Sequence, residues 1–341
     1  MDNLKIGIIG TGVGVVHTKV VSQFPEISIV AICGQDSQKT QRIAGELKIP
    51  FWTTDYKKLL EQPIDIVVIA PPNDFHLPIF METLNYKKHI ILEKPAGTSV
   101  SEIGKMISAS KTYSKTIVVD HELRFHPLHR KIKNMISNKE LGNVSLIQMS
   151  YTHNLFSSPN YHFSWMNQKE RGGGQLQLMG THLLDLINYW LNFPKTSDVS
   201  IKTTIAIPQR NGADGKAYQV TAEDTFTLNA RVGSALISVS NGTRGFGYKG
   251  LSFEVHGSQG FLIFDEERGL RFGHEFGKME PITRDLTETE LKEGVFKVGM
   301  KYFYKEFAKL LTEGPQESGH ADFCTLNQAK VVQEIIHTSP E

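Results

Sequence analysis

The chain has 341 residues, enough for two domains, and its formal net charge is +1 at pH 7. This balance excludes the basic field typical of nucleic-acid-binding proteins, and no apolar stretch approaches the length of a membrane span. The two cysteines, Cys33 and Cys324, form neither a metal spacing nor a disulfide framework. The N-terminus lacks the pattern of a secretory signal. We therefore expect a cytoplasmic protein that binds no nucleic acid, no membrane and no metal.

The first part of the chain alternates apolar runs with helical stretches. The apolar runs predict strands at Leu4–Ile9, Ile27–Cys33, Ile64–Ala70, His89–Leu92 and Thr116–Val119. Helices are predicted between them, over about Val15–Gln23, Ser37–Leu47, His76–Tyr86 and Ser99–Ser110. This alternation predicts an α/β domain, residues 1–122, with a doubly wound parallel sheet whose ligands bind beyond the carboxyl ends of the strands.

The second part, residues 123–341, changes character after a connecting helix at Pro127–Ser137. Longer strands are predicted at Val144–Thr152, Val199–Ala206, Asp224–Arg231, Ala235–Ser240, Leu251–His256 and Gly260–Phe264. Further helices are predicted at Gln175–Leu191, Gly299–Leu311 and Asp322–His337, and loops at Asn211–Gly215 and Gly242–Gly250. Strands that follow strands predict an α+β domain with an open, mostly antiparallel sheet. Because an open sheet leaves one face uncovered, we expect a homodimer or homotetramer.

A glycine-rich turn, Gly10-Thr11-Gly12-Val13-Gly14-Val15, directly follows the first strand. Gly10 permits a tight turn, and Gly12 lets the backbone approach a pyrophosphate whose charge lies on the amides of the helix start. Val15 stands where a third glycine is usual, and the neighbouring Gly14 relieves the crowding. The pattern favours a nicotinamide or flavin dinucleotide, with an ordinary glycine-rich turn as the alternative.

The residue that would select between NAD and NADP lies about twenty positions further on. A carboxylate there bonds the ribose 2′-hydroxyl of NAD, but the position is Gly34, followed by Gln35. The missing carboxylate favours NADP slightly, because Gln35, Ser37 and Lys39 could contact a 2′-phosphate. Asp36 keeps NAD open, and it fits the cap of the following helix equally well.

Lys94, in the sequence Glu93-Lys94-Pro95, follows the fourth predicted strand at the ligand edge of the sheet. Its ammonium could stabilise an alkoxide that develops during hydride transfer. On spacing alone, an ordinary surface lysine is the better interpretation.

A third candidate site begins at Gly172-Gly173-Gly174, where glycines open the amide end of a helix to a ligand. On that helix Leu178, His182 and Asp185 are four and three residues apart and face one side. His182 is a plausible proton acceptor that Asp185 could orient. The alternative is a packed histidine and aspartate at a domain boundary, and we expect most of His76, His121, His153 and His162 to be structural or solvated.

The segment from Tyr151 to Arg171 is rich in aromatic and polar side chains suited to stacking on a polar ring and bonding to it. We expect His153, Tyr161 and Trp165 to contact substrate. An aromatic cluster at a subunit contact is an equally good interpretation.

Together these motifs resemble the Gfo/Idh/MocA family (glucose–fructose oxidoreductase / inositol dehydrogenase) over nearly the whole chain. The motifs are Gly7–Gly12, Ala70–His76, Glu93–Pro95, Arg124–Pro127 and Gly172–Asp185. The resemblance implies a Rossmann domain, NAD or NADP as cofactor, a second domain whose open sheet mediates oligomers, and oxidation or reduction of a sugar, inositol or related polyol.

The resemblance also implies residue roles. Lys94 looks like the catalytic lysine, preceding a cis bond to Pro95, and His182 looks like the family histidine. The implied cofactor contacts include the glycine turn, Gly34 and Gln35. They also include Pro71, Asn73, His76, Glu93 and Lys94. Arg124 is expected among the substrate contacts.

One residue departs from the family pattern. Typical members carry an aspartate four residues before the histidine, where this chain has Leu178. Asp185 could partly substitute, or the reaction could be lost, which would make the protein a cofactor-binding sensor. A third alternative is an NAD-assisted glycosidase. Together, Gly34, Glu122 and Leu178 resemble the glucose–fructose oxidoreductase domain-containing branch.

Overall fold

The chain forms two large sheets, one in each of two compact units. In this computed structural model the first unit comprises Met1–His126 and Glu288–Val331, and the second comprises Pro127–Thr287 and Val332–Glu341. The residues that the structure describes are 3–158, 161–193, 196–243, 250–275, 277–282, 286–287, 289–314 and 322–337.

A six-stranded parallel sheet organises the first unit. Its strands are β1 (Leu4–Ile9), β2 (Ile27–Cys33), β3 (Phe51–Thr53), β4 (Ile66–Ile69), β5 (His89–Glu93) and β6 (Ile117–Asp120). The helices between them are α1 (Val13–Val21), α2 (Ser37–Glu46), α3 (Tyr56–Leu60), α4 (His76–Thr83) and α5 (Val100–Ala109). The strand order β3-β2-β1-β4-β5-β6 is that of a dinucleotide-binding doubly wound fold, which confirms the prediction.

The second unit is built on an eight-stranded mixed sheet. Its helices are α6 (Pro127–Ser137) and α7 (Thr181–Leu191), and a π-helical segment, Leu176–Gly180, leads into α7. Its strands are β7 (Val144–Thr152), β8 (Thr196–Thr204), β9 (Gln209–Asn211), β10 (Ala217–Gln219), β11 (Thr225–Val232), β12 (Ala235–Gly242), β13 (Gly250–Gly257), β14 (Phe261–Asp265), β15 (Gly269–Glu275) and β16 (Lys278–Pro281).

The large sheet of the second unit has the order β16-β15-β14-β13-β7-β12-β11-β8, and β9 pairs with β10 in a separate hairpin. Only the β7–β12 pair is parallel among the pairings that the structure describes in this sheet, so the predicted mostly antiparallel sheet is confirmed. The loop expected at Gly242–Gly250 falls largely on 244–249, outside the described residues. Asn211, expected in a loop, instead ends β9.

The chain ends with α8 (Glu290–Glu293), α9 (Val295–Glu313) and α10 (Leu326–His337). In the first unit, α1 and α9 cover one face of the parallel sheet, where Phe303 and Phe307 pack with Val20. Side chains of α4 and α5 cover the other face, together with the start of α10. Among the residues that the structure describes, no helix is both long and apolar enough to cross a membrane.

Candidate active site

The glycine-rich turn closes tightly against the neighbouring strand. Gly10 has φ +124°, and a Cβ placed on it would lie 2.1 Å from the backbone oxygen of Ala70 at the end of β4. Its amide donates a 2.8 Å hydrogen bond to the carbonyl oxygen of Cys33. Only glycine satisfies both the backbone angle and this close approach.

The start of α1 is open in the way a phosphate requires. Gly12 is the N-cap residue and no side chain caps the helix, while a Cβ on Gly12 would meet no heavy atom within 4 Å. The following Val13 is 48% exposed. A Cβ on Gly14 would lie 3.0 Å from Ile8 Cγ2, so Gly14 allows the close packing of helix on strand. Uncapped amides with open space in front of them fit a dinucleotide pyrophosphate.

Asp36 caps the helix that follows β2. Its carboxylate accepts a 2.9 Å hydrogen bond from the Lys39 amide, as the helix-cap interpretation predicts. Asp36 and Gln35 are exposed, whereas Gly34 is buried. Gln35 and Asp36 are therefore exposed polar residues in the loop where the sequence predicts the ribose contact.

His76 lies entirely inside the first unit. Its Nδ1 is 2.8 Å from the carbonyl oxygen of Pro95, and its Nε2 is 3.1 Å from that of Pro71. Burial lowers the pKa of His76 against the opposing effect of these carbonyls and of Glu93. The ring thus ties the Pro71 loop to the segment after β5, and Asn73 is buried beside it on the same loop. Contact of either side chain with a cofactor stays a prediction.

Lys94 follows β5 at the carboxyl end of the sheet, and its bond to Pro95 is cis. The lysine is half-buried, and its backbone amide donates a 3.0 Å hydrogen bond to Glu93 Oε2. Burial lowers the pKa of Lys94, and the carboxyl groups of Glu93, Glu122 and Asp120 oppose that shift. A half-buried lysine whose pKa is lowered in this way is a candidate functional residue, because perturbed pKa values cluster at functional sites.

Behind Lys94 lies a buried polar cluster that the sequence interpretation missed. His17 on α1 is fully buried; its Nε2 is 2.8 Å from Glu93 Oε1 and its Nδ1 is 2.7 Å from the Tyr304 hydroxyl. Asp120 is also fully buried, with Oδ2 3.7 Å from His17 Nε2. The sequence signal that could have revealed this cluster is the presence of His17, Asp120 and Tyr304 within the otherwise apolar patterns of α1, β6 and α9.

The ligand atoms of His17, Glu93 and Asp120 lie within 4.8 Å of one another, a grouping that could also hold a metal ion. No local spacing reveals it, because the three residues come from separate elements. Both ring nitrogens of His17 already have hydrogen-bond partners. We therefore interpret the cluster as a hydrogen-bond network.

Arg124 is 1% exposed, and its guanidinium faces the closing segment of the first unit. Its Nη1 donates to the Gln328 side chain at 3.1 Å and to the Asp322 carbonyl at 3.4 Å. These bonds attach residues 322–328 to the segment after β6. A substrate contact for Arg124 stays a prediction.

In the second unit, the helix of His182 begins at a glycine turn. Gly174 has φ +99°, and a Cβ on it would lie 2.3 Å from Glu223 Oε1, which accepts a 2.9 Å hydrogen bond from the Leu176 amide. Burial raises the pKa of Glu223. The predicted single helix is instead π-helical over Leu176–Gly180 and α-helical from Thr181. Such π turns recur at functional sites.

His182 and Asp185 are both buried on α7, at 5% and 1% exposure, and Leu178 is half-buried on the π turn. The prediction that these three residues face one side of the helix requires α-helical geometry from Leu178 to Asp185. The π turn widens the first part of that spacing, so only His182 and Asp185 share a regular α-helical turn.

The aromatic segment of the second unit folds around two buried polar residues. His153 Nε2 lies 3.4 Å from Gln175 Oε1 at the glycine turn, and burial lowers the pKa of His153. Arg210 donates hydrogen bonds to the Tyr161 and Phe156 carbonyls and stacks over the Tyr161 ring at 5.2 Å. Trp165 is half-buried, and its carbonyl oxygen packs against Gly173. Gln175 and Arg210 escaped the sequence interpretation.

Comparison with known families agrees with this geometry. Residues 4–121 match the oxidoreductase family with an NAD-binding Rossmann fold, and residues 129–263 match the GFO/IDH/MocA C-terminal domain. The chain belongs to the Gfo/Idh/MocA family. The resemblance drawn from the motifs is confirmed, and the first unit contains an NAD-binding Rossmann domain.

The chain is similar to a levoglucosan dehydrogenase and to a glucose-fructose oxidoreductase domain-containing protein 2. Levoglucosan dehydrogenase of Pseudarthrobacter phenanthrenivorans is 26% identical over 294 residues, 79% of this chain and 75% of that protein. The glucose-fructose oxidoreductase domain-containing protein 2 of Xenopus tropicalis is 29% identical over 298 residues, 83% of this chain and 74% of that protein. The solved complex of levoglucosan dehydrogenase with NADH and levoglucosan superposes with a TM-score of 0.85 at 22% identity, covering 99% of this chain and 97% of that one.

Proposed function

We propose that this protein is an NAD(P)-dependent dehydrogenase or reductase acting on a CH–OH group of a sugar, inositol or related polyol. The observation that carries the proposal is the placement of Lys94. It follows β5 at the same edge of the parallel sheet as the open start of α1, which follows β1. Brought to one edge, a phosphate-binding turn and a half-buried lysine suit hydride transfer at an alcohol carbon.

The bound nicotinamide cofactor would accept or donate the hydride. Gly10, Thr11, Gly12 and Val13 would hold its pyrophosphate through the turn and the uncapped amides. The ammonium of Lys94 would stabilise the negative charge that develops on the substrate oxygen. His182 would take or give the hydroxyl proton, with Asp185 partly replacing the missing family aspartate. Candidate substrate contacts are Arg124, His153, Tyr161 and Trp165.

The cofactor preference between NAD and NADP rests on the loop after β2. Gly34 carries no carboxylate to repel a 2′-phosphate, and the carboxylate of Asp36 is already bonded to the Lys39 amide. These contacts support binding of either dinucleotide, with a slight preference for NADP. Parallel titration with NADH and NADPH measures that preference directly.

A second candidate function, a cofactor-binding sensor without turnover, is favoured by Leu178. A leucine neither donates nor accepts a hydrogen bond, so it cannot replace the carboxylate typical of the family at this position. The sensor would bind the cofactor tightly and turn over none of the alcohols tested.

We also propose that the protein forms a homo-oligomer and is located in the cytoplasm. On the large sheet of the second unit, one set of alternating side chains is half-exposed or exposed. Ser150 and Ser252 lie on this face with their hydroxyls 2.8 Å apart, and Leu236 is 47% exposed. A broad sheet face of this composition suits contact with the same face of a second copy.

The test measures turnover of a panel of sugars, inositols and sugar acids by the change in nicotinamide absorbance. Cofactor affinity is measured in parallel. We expect Lys94→Ala to lower turnover by about 10²-fold or more and to leave cofactor affinity nearly unchanged. Lys105→Ala, an exposed lysine of the same unit, is the matched control. Tight cofactor binding without turnover on the panel would establish the sensor, and glycoside cleavage without net reduced cofactor would establish the glycosidase.

A further inference from the structure

Asp120 is a buried carboxyl group that the proposed reaction does not use. It ends β6 and is 0% exposed. Neither of its carboxyl oxygens has a hydrogen-bond partner among the residues that the structure describes. A charged carboxylate without a hydrogen-bond donor is costly in a buried place, so burial favours the protonated form of Asp120.

The register of the parallel sheet sets Asp120 beside a second carboxyl group. Glu93 at the end of β5 and Asp120 at the end of β6 are paired positions on neighbouring strands. A carboxyl oxygen of Glu93 lies within 4.8 Å of one of Asp120, and two carboxylates at this distance resist simultaneous ionisation, because each charge raises the pKa of the other group. One of the two therefore retains a proton more readily than an isolated carboxyl group.

The hydrogen bonds decide which carboxyl group is ionised. Glu93 Oε1 faces His17 Nε2 at 2.8 Å, and its Oε2 accepts the Lys94 amide at 3.0 Å. Burial alone would raise the pKa of Glu93, but the bond from His17 and the nearby cations bring it below its usual value. Asp120 has no comparable donors.

The charged and titratable groups around Asp120 come from every element packed against it. They are His17 of α1, Glu93 and Lys94 at the end of β5, Glu122 after β6 and Tyr304 of α9. Burial, followed by the charges of Glu122 and Glu93, raises the pKa of Asp120 well above its usual value, and Lys94 opposes the shift. Lys94 is therefore the cation that responds to the charge on Asp120.

We propose that Asp120 carries a proton in the resting protein and acts as a positioning residue whose ionisation controls the charge on Lys94. When the Asp120 carboxyl group releases its proton to solvent, the new negative charge stabilises the Lys94 ammonium. Lys94 then keeps its own proton to a higher pH. The inference rests on the proposed function only for its effect on turnover, since both protonation states can be measured without substrate.

The first measurement is infrared spectroscopy of the wild-type protein at neutral pH, where exposed carboxyl groups are ionised. We expect a C=O stretching band of a protonated carboxyl group that disappears in Asp120→Asn. The band should persist in Asp65→Asn, which removes an exposed aspartate of the same unit. A wild-type protein without this band overturns the proposal, and that result requires no variant to fold.

The second measurement is competitive acetylation of Lys94, resolved by mass spectrometry over a range of pH. We expect the midpoint for Lys94 to fall by about 0.5–1 pH unit in Asp120→Asn and to stay in place in Asp65→Asn. An unchanged midpoint in Asp120→Asn overturns the control of Lys94 by Asp120. If the wild-type protein oxidises no alcohol but the midpoint still shifts, the proposed function fails while this inference stands.

Discussion

Gly34 and Thr11 approach so closely that a Cβ on Gly34 would lie 2.4 Å from Thr11 Cγ2. The same Cβ would lie 2.5 Å from Thr40 Oγ1. The loop after β2 thus packs directly against the glycine turn. A side chain at position 34 would have to displace the side chains of Thr11 and Thr40, which disfavours the usual ribose-binding acid at this place.

We therefore expect Gly34→Ala to weaken the binding of NADH and NADPH together rather than to change the preference between them. Overpacking of this kind costs about 1–3 kcal/mol in free energy of unfolding. Gly45→Ala is the matched control, because a Cβ on Gly45 meets nothing within 4 Å. Fluorescence titration with both cofactors checks the binding, and selective loss of one cofactor would contradict the explanation.

Tyr304 holds the buried end of the network behind Lys94. Ionised Glu93 can only accept, so His17 Nε2 carries a hydrogen toward it, and a 2.7 Å hydrogen bond joins His17 Nδ1 to the Tyr304 hydroxyl. Removing that hydroxyl leaves a buried nitrogen without a partner. We expect Tyr304→Phe to lower the free energy of unfolding by about 1–3 kcal/mol.

Urea unfolding measures this cost, with Tyr86→Phe at a half-buried tyrosine of the same unit as the control. The control should change stability by less than about 0.5 kcal/mol. Equal stabilities for the two variants would show that the Tyr304 hydroxyl contributes nothing to the network.

The raised pKa of Asp120 makes stability depend on pH. Between the ordinary carboxyl pKa, about 4, and the raised value, the folded protein binds more protons than the unfolded chain. The stability that Asp120 contributes is therefore complete at low pH and is lost as the pH rises through the folded-state pKa. Asp120→Asn lacks this loss, so its stability relative to the wild type should increase as the pH rises above about 5.

Unfolding by urea at a series of pH values checks this dependence. The difference between Asp65→Asn and the wild type should stay constant over the same range. Parallel pH curves for Asp120→Asn and the wild type would exclude a raised pKa at Asp120.

Much of the fold was predictable because its long elements carry clear periodicity. The first two strands and α6 have the bounds that the sequence predicts. The short β3 and α3 were not predicted, because three to five residues are too few to show a period. The strands β15 and β16 were missed as well, where residues 269–281 do not alternate regularly.

The parts of the candidate site that directly follow strands could be predicted from the sequence. The parts that depend on contacts between residues far apart in the sequence could not. The turn at Gly10 and the lysine at position 94 both follow apolar runs at the carboxyl edge of the sheet. The partnership of His17 with Glu93 joins residues 76 apart, and that with Tyr304 joins residues 287 apart. Neither appears in a local pattern, because both depend on the register of β5 and the packing of α9 on α1.

The turn before the π segment of the second unit should resist substitution at Gly174. A Cβ there would displace the Glu223 carboxylate from the Leu176 amide and would also strain a backbone angle of φ +99°. Gly215, at φ +78° with nothing within 4 Å, carries the backbone strain alone. We expect Gly174→Ala to cost about 1 kcal/mol more than Gly215→Ala in free energy of unfolding.

A double-mutant cycle separates the two contributions at Gly174. In a Glu223→Ala background the carboxylate is absent, so the extra cost of Gly174→Ala should disappear. Urea unfolding of the four proteins gives the coupling, expected at about 0.5–1.5 kcal/mol. Additive effects would show that Glu223 does not restrict this turn.

Substitutions of Leu178 distinguish an active dehydrogenase from a sensor. We expect Leu178→Asp to raise kcat on the best substrate of the panel by about tenfold or more, because a carboxylate at this position could exchange a proton or orient His182. Leu178→Met, which keeps the side chain apolar and similar in size, should leave kcat unchanged. Neither variant should alter cofactor affinity, since position 178 lies in the second unit, outside the matched NAD-binding region. If Leu178→Asp instead abolishes turnover that Leu178→Met preserves, the leucine contributes an apolar contact that the reaction requires, and the protein is a dehydrogenase with a changed site rather than an impaired one.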